Sequence, residues 1–482
     1  MIEFQFQLSP ELPPISGNAD YAQLLELFTD VDELLTRSQV EQLFIQTALK
    51  DRKPTPKRLL RLKRALRCTI ARSLLNRSYR QFAAELACNH LLQRFCQLIE
   101  IDRIEIPSRG RLESYEKLVD AESIREWVNE LNRKAAEPIE PGLVHEFGLP
   151  EALDLSIQFI DTTCLKANIH HPIDWLLFRD TTRTLMLGVE RIRKGGLKER
   201  MRPPKEFQRQ MNQLCIQMTH ARRKAGSKRE RKRILRRMKK LLKKVAGHAQ
   251  RHLDLLKKEG TDAGFHRAEC LQIQAGIEGI LRQVPQVITQ AHERIIGERQ
   301  VPNEEKILSV YDPDIHVIKR GKAGANVEFG NTLKLCEQAD GLITHWQLFQ
   351  ETAPADVKLV EPTVEQLKKT PGTTLDELVG DRGFDSRSNQ RFLKAEEITN
   401  RICPRSPTEL ADRLTDPDFR DRQKRRAQTE ARISILFGKF FGRPMRKKGF
   451  KNRDRQVAWC ILAHNLWKLA RILSAERLAQ AA

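Results

Sequence analysis

The chain has 482 residues, too many for one typical domain of roughly 100 to 200, so two or three structural units and a sizeable core are expected. Lys and Arg number 85 against 63 Asp and Glu, a net charge of +22 with a pI near 9.7, so the surface attracts polyanions and nucleic acid is the leading partner. The nine scattered cysteines never form CxxC, which argues against a disulfide framework and a structural zinc site; with no signal-like start and no run of 18 apolar residues, a reduced, cytoplasmic protein without a membrane span is expected.

The opening IEFQFQL alternates with the period of a small strand. From about residue 20 to 135 the apolar spacing is helical. Within it Phe82, Ala83 and Leu86, then Leu91, Leu92 and Phe95, recur at three- and four-residue steps. A second helix opens after Pro107, with Ser108 placed to cap it and Arg109 and Arg111 in its first turn. A basic second helix suits a helix-turn-helix-like reader of DNA, with those two arginines as contacts; a helical bundle with solvated arginines fits the same stretch. Next, Leu155, Ile157, Phe159 and Ile160 predict a short apolar strand ending on Asp161. After the polar TTCLKANIHHP, the positions Trp175, Leu176, Leu177, Leu185, Met186 and Val189 return to helical spacing. His170 and His171, near Cys164, lack a second half-site for zinc and are read as polar loop residues shaping the neighbourhood of Asp161.

A long helical block spans about 195 to 300. Its centre, residues 221 to 244, holds fourteen Lys or Arg against the single acid Glu230, while Ile234, Leu235, Met238, Leu241, Leu242 and Val245 keep an apolar stripe, so one amphipathic helix is expected there. So many like charges repel unless a polyanion neutralises them, which favours phosphate contacts by Arg222, Arg223, Lys232, Arg236 and Lys240. Beyond residue 307, short runs rich in Val, Ile, Leu, Trp and Phe read as two or three strands, the last pair turning at Asp340 and Gly341. The helix TVEQLKKT follows, then a strand that stops at Gly380 and exits on Asp381, with Arg382 and Gly383 behind it. Asp385 or Ser386 caps the helix RSNQRFLKAEE, and ITNRICP is one more strand. Strands in succession, then alternating with helices, predict the α/β class with a mixed sheet. The basic helix FRDRQKRRAQTEARISILFGKFF sets Arg426 and Glu430 one turn apart on the face of Ile433 and Phe437. Alone, such a pair is an ordinary surface ion pair. The last helix, VAWCILAHNLWKLARIL, is read as core rather than as a dimer face.

Taken together, IDTTCLKANIHHPIDWLLFRDTTRTL, RGKAGANVEFGNTLKL, VGDRGFDS, RRAQTEARISILFGKFFGRPMRKKGF and VAWCILAHNLWKLARIL make the chain resemble the transposases of bacterial insertion sequences, over roughly residues 58 to 475 and in the same order. These belong to the DDE class, with a ribonuclease H-like catalytic core. The resemblance implies a helical DNA-binding domain over 1–135, a catalytic core split into 150–194 and 301–475, and a basic helical insertion over 195–300. It places the two aspartates and the glutamate of the family on Asp161, Asp381 and Glu430, as catalytic residues and metal ligands. Arg426 matches the arginine four residues before the glutamate, and Arg382 joins it as a DNA contact. Two positions depart from the pattern: Gln423 stands for a tyrosine and Phe437 for a lysine, with Lys439 nearby on the opposite helix face. The implied activity is cleavage and strand transfer on double-stranded DNA, at terminal repeats and target, by two Mg²⁺ (or Mn²⁺) ions about 3.5 to 4 Å apart. A homodimer in the synaptic complex and a nucleoid-associated location follow from the same likeness. Two alternatives keep the basic surface without the chemistry: a domesticated, catalytically inactive DNA-binding protein, and a structural RNA-binding protein using the basic helix alone.

Overall fold

The computed structural model describes residues 15–50, 52–224, 226–322, 325–370 and 374–481; the alternating IEFQFQL lies outside them. The amino-terminal part is helical, as its spacing predicts: α1 (Ala19–Arg37), α2 (Val40–Leu49), α3 (Pro56–Leu74), α4 (Tyr79–Cys88), α5 (His90–Phe95), α6 (Arg109–Glu116) and α7 (Ala121–Ala135). Local chemistry sets the helix starts. Thr55 caps α3 ahead of Pro56, Ser78 and Gln81 form a reciprocal capping box on α4, and Ser108 accepts from the Arg111 N–H at the start of α6.

A mixed sheet follows. Its strands are β1 (Ile157–Lys166), β2 (His316–Lys322), β3 (Ala325–Glu337), β4 (Ile343–Leu348), β5 (Glu377–Gly380) and β6 (Thr399–Ile402), in the order β2-β3-β1-β5-β6, with β4 also on β3. β1 runs antiparallel to β3, from Phe159 opposite Glu337 to Lys166 opposite Gly330, and parallel to β5, where Phe159 pairs Val379. The turn between β3 and β4 falls at Asp340 and Gly341, as read from the sequence, and Gly341 takes a φ of +95° there. One boundary differs. β1 does not end on Asp161 but continues five residues to Lys166, because β3 keeps pairing with it after β5 has stopped.

Between β1 and β2 stand four long helices, α8 (Asp174–Lys194), α9 (Pro204–Arg223), α10 (Lys228–Glu259) and α11 (Arg267–Ile295), packed as a bundle with its own apolar core around Phe178, Met186, Met218, Leu235, Met238 and Ile277. The basic stretch 221–244 is therefore not one helix. It breaks after Arg223, and Gly226, at φ +69°, carries the chain round to Lys228. α12 (Val360–Lys369) and α13 (Arg387–Ala395) flank β5. After β6 come α14 (Pro407–Arg413), α15 (Pro417–Ile435) extended by a π-helical turn to Phe441, and α16 (Phe450–Ala481).

α16 is core, as its composition suggests. It packs against α1, α3 and α7 and against β4, so the amino-terminal helices and the sheet share one apolar cluster. Trp459, fully buried, lies 6.1 Å from the Trp127 ring and 6.2 Å from Phe44. Asn465 fastens three elements at once: its Nδ2 donates to the Asn132 Oδ1 of α7 and to the Ile343 carbonyl of β4, and its Oδ1 accepts from the Ile343 N–H. Buried Glu116 likewise accepts from Arg72 of α3 and from Lys447, just before α16. Among the described residues no helix is long and apolar enough to cross a membrane. Trp459→Ala is expected to cost about 3 to 5 kcal/mol in urea unfolding, the usual loss for a buried tryptophan truncated in a packed core.

Candidate active site

The unequal pairing of β1 builds the site. β5 pairs with β1 only as far as Val379, and its chain leaves the sheet at Asp381, while β1 goes on through Asp161. Two adjacent strands thus bring these carboxylates to one end of the parallel pair. Each spends one oxygen on a nearby backbone amide: Asp161 Oδ1 accepts from the Thr162 N–H at 2.7 Å, and Asp381 Oδ1 from the Gly383 N–H at 2.7 Å. Neither Oδ2 has a hydrogen-bond donor among the described residues. Gly383 leaves room for two carboxylates: a Cβ there would meet Asp381 Oδ1 at 2.8 Å and Asp356 Oδ2 at 2.9 Å and displace them. The glycine of the GDRG turn is what allows two carboxylates to close on it. Arg405 secures the turn from outside, donating to the carbonyls of Arg382 and Gly383.

Asp356 was not legible in the sequence. It lies in a single 3₁₀ turn before α12, accepts from Thr162 Oγ1 at 3.0 Å, and so joins the residue beside Asp161 to the Gly383 turn. Its local setting, TAPADVKL, carries no motif; its position depends on how the β4–α12 connection crosses the sheet.

Glu430 arrives on α15, whose start is capped by Asp416. The helix is held to the sheet by Glu337, 1% exposed, on β3. Its carboxylate accepts from Thr429 Oγ1 at 2.8 Å, Arg425 at 3.1 Å and Arg432 at 3.2 Å, three residues that bracket Glu430. Arg425 also lies 4.7 Å above the Phe159 ring, and Arg432 fills the space over Gly341, where a Cβ would come within 2.0 Å of it. With that face turned to the sheet, Glu430 is left exposed and Arg426 half-buried, its Nε buried without a partner. Gln423 donates to the Arg401 carbonyl of β6 at 2.7 Å, Phe437 is buried edge-on to Phe441, and the Lys439 ammonium rests 4.2 Å from the Trp467 ring. Gln423 and Phe437 are thus both absorbed into packing.

The charges of these groups meet at Asp161. Burial first, then the neighbouring carboxylates Asp381 and Glu430, push its pKa up to about 6, against the opposing pull of the Thr162 amide and Arg426. Asp381, Glu430 and Arg426 are therefore each within electrostatic reach of Asp161. Among the described residues no three or more His, Cys, Asp or Glu side chains are already drawn together as a metal cage. The donor set nevertheless suits a hard divalent cation, being all carboxylate oxygen.

The remaining basic candidates are spread over the surface. Arg382 is exposed next to Asp381. Arg109 and Arg111 are exposed on α6, the latter paired with Glu105 at 2.8 Å. On the bundle Arg223, Arg236 and Lys240 are exposed, Lys232 pairs with Glu298 at 2.9 Å, and Arg222 lies over the Trp175 ring at 5.7 Å. His171 stacks edge-on to Phe329 at 5.6 Å, past the Lys166 end of β1. Comparison of the chain with protein-family models, with curated proteins and with solved structures finds no match in any of the three.

Two outcomes follow from this geometry. Removing the Glu337 carboxylate leaves Arg425 and Arg432 facing the sheet uncompensated, so Glu337→Ala should cost about 3 to 5 kcal/mol in urea unfolding and speed hydrogen exchange along α15. For Asp161 the sign is opposite. Its native pKa, about 6, stands above the unfolded value of about 3.9, so the native state holds more protons and stability falls as pH rises from about 4 to 6. Asp161→Asn should then stabilise the fold at pH 8 by on the order of 2 kcal/mol, and by progressively less as the pH is lowered toward 4. A gain of equal size at both pH values would contradict it.

Proposed function

We propose that the chain is a DDE-type transposase: it binds double-stranded DNA and cleaves and rejoins phosphodiesters at Asp161, Asp381 and Glu430. The observation that carries this reading is that Asp161, within β1, and Asp381, one residue past the end of β5, stand at the same level of two adjacent parallel strands, with the Glu430 helix locked to the sheet there by Glu337. A central strand flanked by an antiparallel meander on one side and by two parallel β-strands on the other also supports the ribonuclease H-like class.

Asp161 and Asp381, through their unpartnered Oδ2 atoms, and the exposed Glu430 would hold Mg²⁺ or Mn²⁺. When bound, such ions activate the attacking water or 3′-hydroxyl and stabilise the leaving oxygen. The chain's own contribution is positional. Gly383 and Thr162 orient the two aspartates through their amides, Asp356 accepts from Thr162 of β1 beside the Gly383 turn, and Arg426 and Arg382 supply positive charge beside them for the scissile phosphate. The surplus of 22 cations supplies the sequence-independent attraction to the DNA backbone.

The test is cleavage of a labelled duplex carrying the element's own end, in Mg²⁺ and in EDTA. Wild type should nick only with the metal. Asp381→Asn and Glu430→Gln should each lower the rate by at least a hundredfold while duplex binding is retained. Binding without metal-dependent cleavage by wild type would instead make this a domesticated DNA-binding protein.

A further inference from the structure

A cleft of about 310 Å³ opens at the foot of the helical bundle, lined among others by His171, Asp174, Trp175, Arg222, Arg231 and Arg294. Four helix ends meet there: the start of α8, the end of α9, the first turn of α10 and the end of α11. Its charges do not balance. Buried Asp174 accepts from Arg294 at 2.8 Å and from Gln290 Nε2 at 2.9 Å, so one arginine is matched. Arg222 and Arg231 have no carboxylate partner among the described residues. Arg222 lies over the Trp175 ring, and the Nε of Arg231 is buried with no acceptor among the described residues. An N–H of a cation withdrawn from water and left unpaired is unfavourable unless an anion completes it, and two guanidinium forks on one cleft match the oxygens of a phosphate.

We propose that this cleft is a phosphate-binding site for the backbone of duplex DNA, separate from the carboxylate site, with Arg222 and Arg231 as the phosphate ligands. Trp175 and the Asp174–Arg294 pair hold its walls. The location favours a strand of nucleic acid over a free anion. The cleft lies past the end of β1, the strand that carries Asp161, and the run from Asp161 to Lys166 is roughly 17 Å of strand. A duplex seated on the carboxylates advances about 34 Å per helical turn, longer than that run of strand, so its backbone can continue beyond β1 toward the cleft. Arg222 came into view from the sequence only as one member of a charge run; Arg231 and its companions become a site only because the break at Gly226 folds the end of α9 beside the start of α10.

This inference rests on the DNA-binding half of the proposed function and not on its chemistry, so the two fail separately. Duplex binding by the full chain is measured by fluorescence anisotropy over a range of salt concentrations, for wild type, Arg231→Gln, Arg222→Gln and Arg231→Lys. Each Gln variant should lower the slope of log K against log salt by about 1, equally on unrelated sequences, while Arg231→Lys keeps the wild-type slope. In parallel, phenylglyoxal modification of Arg222 and Arg231 is mapped by mass spectrometry with no addition, with the duplex and with inorganic phosphate. Protection of both by the duplex is expected. An unchanged slope overturns the proposal even if the protein cleaves DNA; protection by phosphate but not by duplex overturns it in favour of a free-anion site. A lowered slope in a protein that never cleaves leaves the site standing and removes only the catalytic reading.

Discussion

The structure depends on one strand having two unequal partners. β1 is paired by β3 from Phe159 to Lys166 but by β5 over only three positions, and the chain of β5 turns away where β1 does not. That mismatch opens a notch between two neighbouring strands of the sheet. Phe159, Glu337 and Val379 lie in register at its inner edge, with Phe159 and Val379 buried in one apolar cluster and Ile160 and Leu378 in another on the opposite face. One residue outward stand Ile160, still buried, and Gly380, the last residue of β5, and the aspartates follow at the rim. Apolar packing on both faces thus fixes the backbone from which the carboxylates project, which is how a site gains precision from a rigid element rather than a loop.

Two acids a few residues apart in this register show opposite electrostatic solutions. Glu337 is deeply buried and surrounded by donors, so its charge is compensated and serves to lock α15. Asp161 is left with a single amide and the distant pull of Arg426 against two like charges. An uncompensated carboxylate is a poor structural element but a good ligand, because the energy held in repulsion is released when a cation arrives. The same helix carries both consequences, since the arginines that satisfy Glu337 are the ones that turn Glu430 outward.

Much of this was legible in the sequence. The Asp340–Gly341 turn, the Ser108 and Ser386 caps and the exit of β5 at Asp381 are local features, set by residues a few positions apart, and each appears where its residues predict. What escaped depends on distant chain. The extension of β1 past Asp161 is decided by β3, more than 160 residues later, since TTCLK has no strong period of its own. Asp356 and Glu337 gain their roles only through folding, although an acid closing the apolar run TLKLCE was a signal that could have marked Glu337 as buried and paired. The break in the basic stretch was signalled by AGS at 225 to 227, but a continuous stripe of charge and apolar residues outweighed it in the reading.

The position of α16 has a consequence for how the protein is made. Helices α1, α3 and α7 leave the ribosome first, yet the surface that covers their apolar faces belongs to the segment from Phe450 onward. Until Trp459, Ile461 and Leu466 emerge, Phe44 and Trp127 of the amino-terminal helices have each other but lack the helix that covers them. The nascent chain must therefore carry an open hydrophobic face through most of its synthesis, the condition under which chaperones engage and a truncated product aggregates. A chain interrupted before α16 would present every carboxylate and nearly every basic residue of the site, and would still be unable to close its first domain.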